Sequence, residues 1–442
     1  MTAAVKPKAA DTFMLPSQID LNLPGTGQQW LDKLRATAAE NFSEHGLPTV
    51  QDEEWRYTDI RRLKRQNFSL QFSSEDVSQI IDTLPNYDVT RIFLINGLFS
   101  PAISKDAIPE GVHIESLATK LANDSLQGIL SSSIPAERHA FIDLNTAYCF
   151  DGVVITLDTN TVLAKPIEII HVTTGADHAT ISHARNIVIA GKHSQADIIE
   201  RSMSVNAENI YLNNTVTEII AHDGAQLEHY KIQEEAPQAF HIGGVFVSQS
   251  RDSTVVNHNI ALGGNLVRND IQFNLLGTGA HCGMSGLVLG KQSQHVHNHT
   301  EVAHRVPHCT SDQFYKNVLD DKSRAIFRGR IIVAQDAQKT AAEQQNDNLL
   351  LSADAEANTK PQLEIYADDV TCSHGATIGQ LEEKSLFYFQ SRGIKHEDAQ
   401  RLLTFAFVNE VVDRFHFEPL KNELTQRFLG ELLPDNYQEV LS

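Results

Sequence analysis

The segments SQADIIE (residues 194–200), DGAQLEHY (223–230) and DSTVVNHN (252–259) decide the fold of this chain. Each joins a polar turn to a short run with strand character. Ala196, Ala225 and Thr254 fall in step, each 29 residues after the last, and TGAHCGM (278–284) follows at a similar interval. A fixed period in that range points to stacked repeats, each burying its apolar face against its neighbours. Outward from these segments, residues 153 to about 366 form a succession of short apolar strands, among them IEIIHV (167–172), NIVIA (186–190), VFVSQ (245–249) and GLVLG (286–290). Gly, Asp, Asn and Ser separate them, and long helical periodicity is absent. Stacked strands with polar turns predict a β-helix, in which each rung pairs its backbone with the rungs above and below. A β-sandwich is the alternative, but it would show Greek-key connections of unequal length and no regular repeat. Gly263, Gly264, Gly277, Gly279, Gly283, Gly286 and Gly290 read as turn and rung glycines.

The flanks differ. In QQWLDKLRATAAENF (28–42), Trp30, Leu31, Leu34, Ala38 and Phe42 recur at helical spacing, and His45 and Gly46 mark the end. Between residues 74 and 130, strand-like RIFLING alternates with helix-like SSEDVSQIIDTL and LATKLAND. After Gly393 a helical pattern returns in HEDAQRLLTFAFVNEVVDRF (396–415), where Phe405 and Phe407 widen the apolar surface beyond one stripe. The predicted division is an N-terminal α/β, largely helical region (1–150), a β-helix core (151–385) and a C-terminal helical domain (386–442). The fold class is mainly β.

With 442 residues and 41% hydrophobic content, the chain supports a large core plus a smaller module. A net charge of −20 disfavours nucleic acid or an anionic membrane as partner. The four cysteines, Cys149, Cys282, Cys309 and Cys372, are too far apart for a zinc knuckle or a compact disulfide framework, which fits a reducing cytoplasm. The N-terminal stretch lacks an apolar core, and no run of eighteen apolar residues occurs. A cytoplasmic chain whose first dozen residues lack fixed structure is the expectation. Neither a GxGxxG that opens a helix, a GxxxxGK[ST] loop nor a GxSxG elbow is present, so nucleotide hydrolysis belongs to a partner and no tightly bound cofactor is expected.

Metal-binding chemistry concentrates in YADDVTCSHGATIGQ (366–380). In an extended segment Cys372 and His374 share a face. A thiolate beside an imidazole suits iron or zinc, yet a closed tetrahedral site needs four ligands, so these two form a half-site. Asp368 shares their parity and reaches His374 only through a turn or a neighbouring rung. Gln344, Gln345 and Asn346 are expected one rung away. His295, His297 and His299 share one strand face, with His304 and His308 close by. They read as a polar ladder along a rung, although a stand-alone metal carrier would use them.

FRGRIIVAQDAQKTAAEQQNDNLLLS (327–352), KPQLEIYADDVTCSHGATIG (360–379) and FYFQSRGI (387–394), together with EEWRYTDI far upstream (53–60), closely resemble the SufB/SufD family of the SUF iron–sulfur cluster assembly system. Asn346 stands where the SufB branch carries a cysteine, and Gly375 where it carries a glutamate, so the chain is more similar to the SufD branch. The resemblance implies a right-handed parallel β-helix in a non-catalytic scaffold. It implies a heterodimer with a SufB-like homologue, docking of a SufC-like ATPase, and a homodimer in isolation. It also implies a transient iron–sulfur cluster or iron at the heterodimer interface, faced by His374 first and Cys372 second. ATPase docking falls on the helix bearing Leu402, Leu403, Phe405, Ala406, Phe407 and Val411. The rival reading, a β-helix enzyme acting on polysaccharide, predicts charged residues gathered in one open cleft.

Overall fold

The computed structural model describes residues 22–70, 77–104, 106–135 and 140–433, so the expectation for the first dozen residues lies outside the described residues. From Val153 onward, successive strands alternate between two sheets, each pair making one turn of a solenoid. The first sheet stacks Ile167–Thr173, Gln195–Ser204, Gln226–Gln233, Thr254–Ala261, His281–Gly290, Thr310–Leu319, Ala341–Leu350 and Thr371–Gly379 in parallel register. The second stacks Val153–Leu157, Arg185–Ala190, Val216–Ala221, Phe240–Gln249, Leu266–Leu275, His295–His304, Arg324–Val333 and Glu356–Ile365, also parallel. This is the predicted β-helix rather than a sandwich.

The period is looser than expected. Gln195, Gln226, Thr254, His281, Thr310, Ala341 and Thr371 stack on one another, in steps that vary from 27 to 31 residues. Thr254 therefore stacks on Gln226 and Gln195, not on Ala225 and Ala196. The turns differ in length while strand pairing is set by which side chains face inward, and a one-residue slip would turn every side chain to the other face.

Between the sheets, Ile169, Ile198, Ile219, Val245, Ile271 and Val302 form a continuous apolar core. A polar column shares that interior. Glu200 lies within hydrogen-bond or ion-pair distance of His171 (3.4 Å) and His229 (3.3 Å) and accepts from Thr217 (2.7 Å). Burial alone would raise the Glu200 carboxyl, but its hydrogen bonds with the two histidines outweigh this and hold it well below the usual range. Farther along, Lys231 Nζ donates to Asn269, and Asn269 and Asn259 both donate to Asn298.

The N-terminal region contributes to both sheets. Strand Thr90–Ile95 pairs in parallel with Ile167–Thr173, and an Asn96-Gly97 turn with positive φ at both positions reverses the chain into antiparallel Leu98–Phe99. At the same end, Val112–Ser116 pairs antiparallel with Val153–Leu157. Helix Gln29–His45 ends at Gly46 (φ 66°), whose N–H bonds Phe42, as the spacing predicts. Helix Ala140–Tyr148 is buried on every side through Ala147, and its Asn145 donates to the Ala184 and Asn214 carbonyls of adjacent rungs.

Three helices, Glu383–Ser391, His396–Val412 and Glu418–Leu432, follow the last rung. Val408, Val411, Val412, Phe415, Leu420, Leu424 and Phe428 pack against Ile199, Tyr230, Ile232 and Leu287 on the outer face of the first sheet. Buried Arg201 ties three regions together through Glu168 (3.2 Å), Glu234 (2.8 Å) and Glu423 (2.9 Å), with Tyr87 at 3.0 Å.

Candidate functional site

The two ends of the solenoid are unlike. At the N-terminal end the outermost strands are the short, antiparallel Leu98–Phe99 and Val112–Ser116. At the other end the outermost strands are the longer, parallel Thr371–Gly379 and Glu356–Ile365; among the described residues Thr371–Gly379 pairs on one side only, and every residue of it except half-buried Cys372 is exposed. Glu356–Ile365, the last strand of the second sheet, also lacks any fully buried residue. Such an edge presents unpaired backbone N–H and C=O groups to which another strand can add.

Cys372 and His374 lie on this last strand, on its inward face. Their register partners Ala342 and Gln344 are both buried, as are Asn346 and Asn348 on the same side. Cys372 rests against an apolar cluster that includes Ile331, Val333, Ala337, Ala342 and Ala367, and this desolvation raises its thiol pKa. It is the one cysteine not fully buried among four free thiols. His374 is exposed at the mouth. The pair thus offers one imidazole and one thiol on the open rim, two donors of the four a tetrahedral site requires. Gln344 and Asn346 lie one rung below, as the sequence suggested. Asn346 is fully buried, with its amide donating to the Tyr315 carbonyl at 3.3 Å and its oxygen accepting from Asn348 at 2.8 Å.

Two local expectations change. Asp368 lies in the bend before the strand rather than in step with Cys372 and His374 within it, because the strand starts only at Thr371, and its neighbour Asp369 pairs with Lys339. Gly375 lies inside the strand, and a Cβ there would meet nothing within 4 Å. Val411, assigned to the docking surface, is fully buried in the packing between helix and solenoid. Phe407 also faces the solenoid, with the Lys316 ammonium 4.0 Å from its ring centroid and bonded to Glu410 at 2.7 Å. Leu402, Leu403 and Phe405 are half-buried, and Ala406 is exposed. Among the described residues the large exposed apolar groups of this module are Phe387 and Tyr388, 70% and 56% exposed, on the preceding helix. A nine-residue helix with adjacent aromatics gives too short a period for its faces to be told apart in sequence.

The histidine ladder has a structural occupant. His297 and His299 lie on the outer face of the second sheet, where Arg268 forks onto Asp270 (2.9 and 2.7 Å) and reaches His297 and His299 at 3.2 and 3.3 Å. Asp270 lies 3.0 Å from His299. EEWRYTDI docks here. Thr58 lies 2.8 Å from His297 and 3.2 Å from His295, Trp55 covers the Arg268 guanidinium at 3.9 Å, and Arg268 donates to the Glu54 carbonyl. The two motifs that seemed separate in sequence are two sides of one contact. Four carboxylates of the solenoid strands are likewise held in ion pairs: Glu168 and Glu234 with Arg201, Glu218 with Arg185, and Asp270 with Arg268.

Comparison with known proteins accords with this geometry. Residues 171–407 match the SUF system FeS cluster assembly SufBD core domain, and residues 22–169 match the SufBD protein N-terminal region. The chain is 32% identical to an iron–sulfur cluster assembly SufBD family protein of Synechocystis sp., covering 96% of this chain and 98% of that one. It is 32% identical to iron–sulfur cluster assembly protein SufD of Escherichia coli over 88% and 90% of the two chains, and 24% identical to SufD of Bacillus subtilis over 89% and 92%. Among the described residues no helix is long and apolar enough to cross a membrane. With both family regions matched in order along a two-sheet solenoid, the chain belongs to the SufBD family of SUF iron–sulfur cluster assembly proteins.

Proposed function

We propose that this chain is a SufD-type, non-catalytic scaffold subunit that works in the cytoplasm. It pairs with a SufB-like homologue through the open end of its solenoid and receives a SufC-like ATPase on its C-terminal helices. The observation that carries this reading is the uncapped last rung, where His374 and Cys372 occupy the inward rim of a strand whose outer edge has no partner among the described residues. A second chain completing that rim would complete the donor set, and separation of the chains would open it again, so iron and sulfide are cargo held only while the interface is closed. Any iron or cluster at the rim is transient, and no tightly bound cofactor is assigned. The helical module is suited to pass on an ATPase's motion. Helix His396–Val412 is bonded to the Thr310–Leu319 strand through Lys316–Glu410, Arg414 in the turn after it pairs with Asp312 of the same strand, and that strand pairs with the neighbour of the edge. Without the homologue, the same edge pairs two copies of this chain as a homodimer.

The test is co-expression with SufB-like and SufC-like partners, size-exclusion chromatography, and absorbance during iron and sulfide reconstitution. The three chains should co-elute for both wild type and His374→Ala, while cluster formation falls about tenfold or more in the variant. Failure to co-elute in wild type would remove the scaffold reading, and loss of the complex in His374→Ala alone would make the residue structural.

A further inference from the structure

Across the ladder from His374, on the same inward face, stands Gln344, and across from Gln344 stands Gln313. Both carboxamides are buried, 1% and 0% exposed. Gln344 Nε2 donates to Gln313 Oε1 at 3.1 Å, and the Thr300 hydroxyl, from the facing sheet, donates to the same oxygen at 2.8 Å. Gln344 Oε1 is left buried and without a hydrogen-bond partner among the described residues, as is Gln313 Nε2. Leaving such an amide oxygen unpaired is costly, and native proteins retain few of them. The facing strand makes room for this carboxamide, since a Cβ on Gly329 would stand 2.1 Å from Gln344 Nε2. The register sets the Gln344 backbone one strand spacing, about 4.8 Å, from that of His374.

A neutral imidazole that binds a metal ion through one ring nitrogen carries its proton on the other, and the acceptor of that proton fixes both tautomer and ring orientation. We propose that Gln344 Oε1 is this acceptor for His374, so that the second ring nitrogen is held toward the open end of the solenoid. Gln344 is then a positioning residue, and Thr300 and Gln313 fix its amide in turn. This inference rests on the reading of His374 as the residue that meets incoming iron.

The experiment uses the full chain with 15N-labelled histidine, His374 being assigned by its absence in His374→Ala, and Co2+ as the metal probe. In wild type the two His374 ring nitrogens should show one fixed tautomer. In Gln344→Met, which keeps length and loses the acceptor, the tautomers should mix and Co2+ affinity should fall about 10–100-fold. Gln344→Asn, which withdraws the same oxygen by one methylene, should do likewise and serves if the methionine variant does not fold. Gln344→Glu should restore both signals, because its carboxylate still accepts from His374 and, once the Gln313 carboxamide turns over, takes a bond from Gln313 Nε2. An unchanged tautomer and unchanged Co2+ affinity in a folded Gln344→Met or Gln344→Asn would overturn the inference. Co2+ binding that survives His374→Ala would instead sink the reading of His374 as a metal donor, while the tautomer signal would still test its contact with Gln344.

Discussion

Gly286 shows how little freedom a single inward position has. A Cβ there would stand 2.2 Å from a Tyr315 ring carbon, and Tyr315 is itself buried and packed 5.0 Å from Phe327 of the facing sheet. Gly286→Ala should therefore destabilise the chain by about 1–3 kcal/mol, seen as a lower urea midpoint at unchanged slope. Gly375→Ala is the matched control: it adds the same methyl in open space on the last rung and should leave the midpoint within about 0.5 kcal/mol. In sequence, Gly286 could be read as a rung glycine, but its tightness could not, because the obstructing ring comes from the next rung. Cys372 and His374 behave differently. Their shared face followed from strand alternation alone, whereas the open space above them depends on where the stacking stops.

Among the elements, helix His396–Val412 carries two kinds of apolar residue that its periodicity could not separate. Val411 is fully buried, so Val411→Ala should cost on the order of 2 kcal/mol in chemical denaturation while leaving partner binding intact in folded protein. Phe387 and Tyr388, on the helix before it, are the reverse case. Replacing both by Ser should leave stability within about 0.5 kcal/mol and weaken co-elution with the SufC-like ATPase. Unchanged ATPase binding in that variant would shift the docking surface to another face. The N-terminal element EEWRYTDI could be recognised as a motif but not placed. Its partners, Arg268, His295 and His297, lie more than two hundred residues downstream, and no local pattern encodes that contact.

For the whole molecule, the strand-rich middle and helical ends were legible because face alternation and helical spacing are local. The exact stacking register was not, since turns of unequal length absorb the drift that a strict repeat would forbid. The assembled fold also acquires a pH dependence that no segment has alone. Burial pushes His183, His295 and His304 down to about 4, so the unfolded chain binds protons there more readily than the folded one. Their neutral forms stabilise the fold fully above the ordinary histidine pKa near 6.5, and that stability is lost as pH falls toward 4. Glu200 and Glu228, held below the usual carboxylate range, add a second loss below about pH 4.5 as they protonate. Asp197, pushed up to about 6 mainly by burial, has the opposite sign but is a single group. Thermal stability should therefore fall steadily from pH 7 to pH 5, on the order of 1–2 kcal/mol for each of these histidines, and a flat profile over that range would contradict this account.

A solenoid that tapers at one end to antiparallel strands and finishes at the other in long parallel ones offers a full-length ladder in one direction only. If a second chain adds at that ladder, as proposed above, such a molecule has a valence of one and growth stops at a pair. A solenoid with long parallel edges at both ends would instead recruit a third and a fourth molecule into a filament. On that reading the short antiparallel strands Leu98–Phe99 and Val112–Ser116 would serve as chain terminators, blunting the end opposite His374.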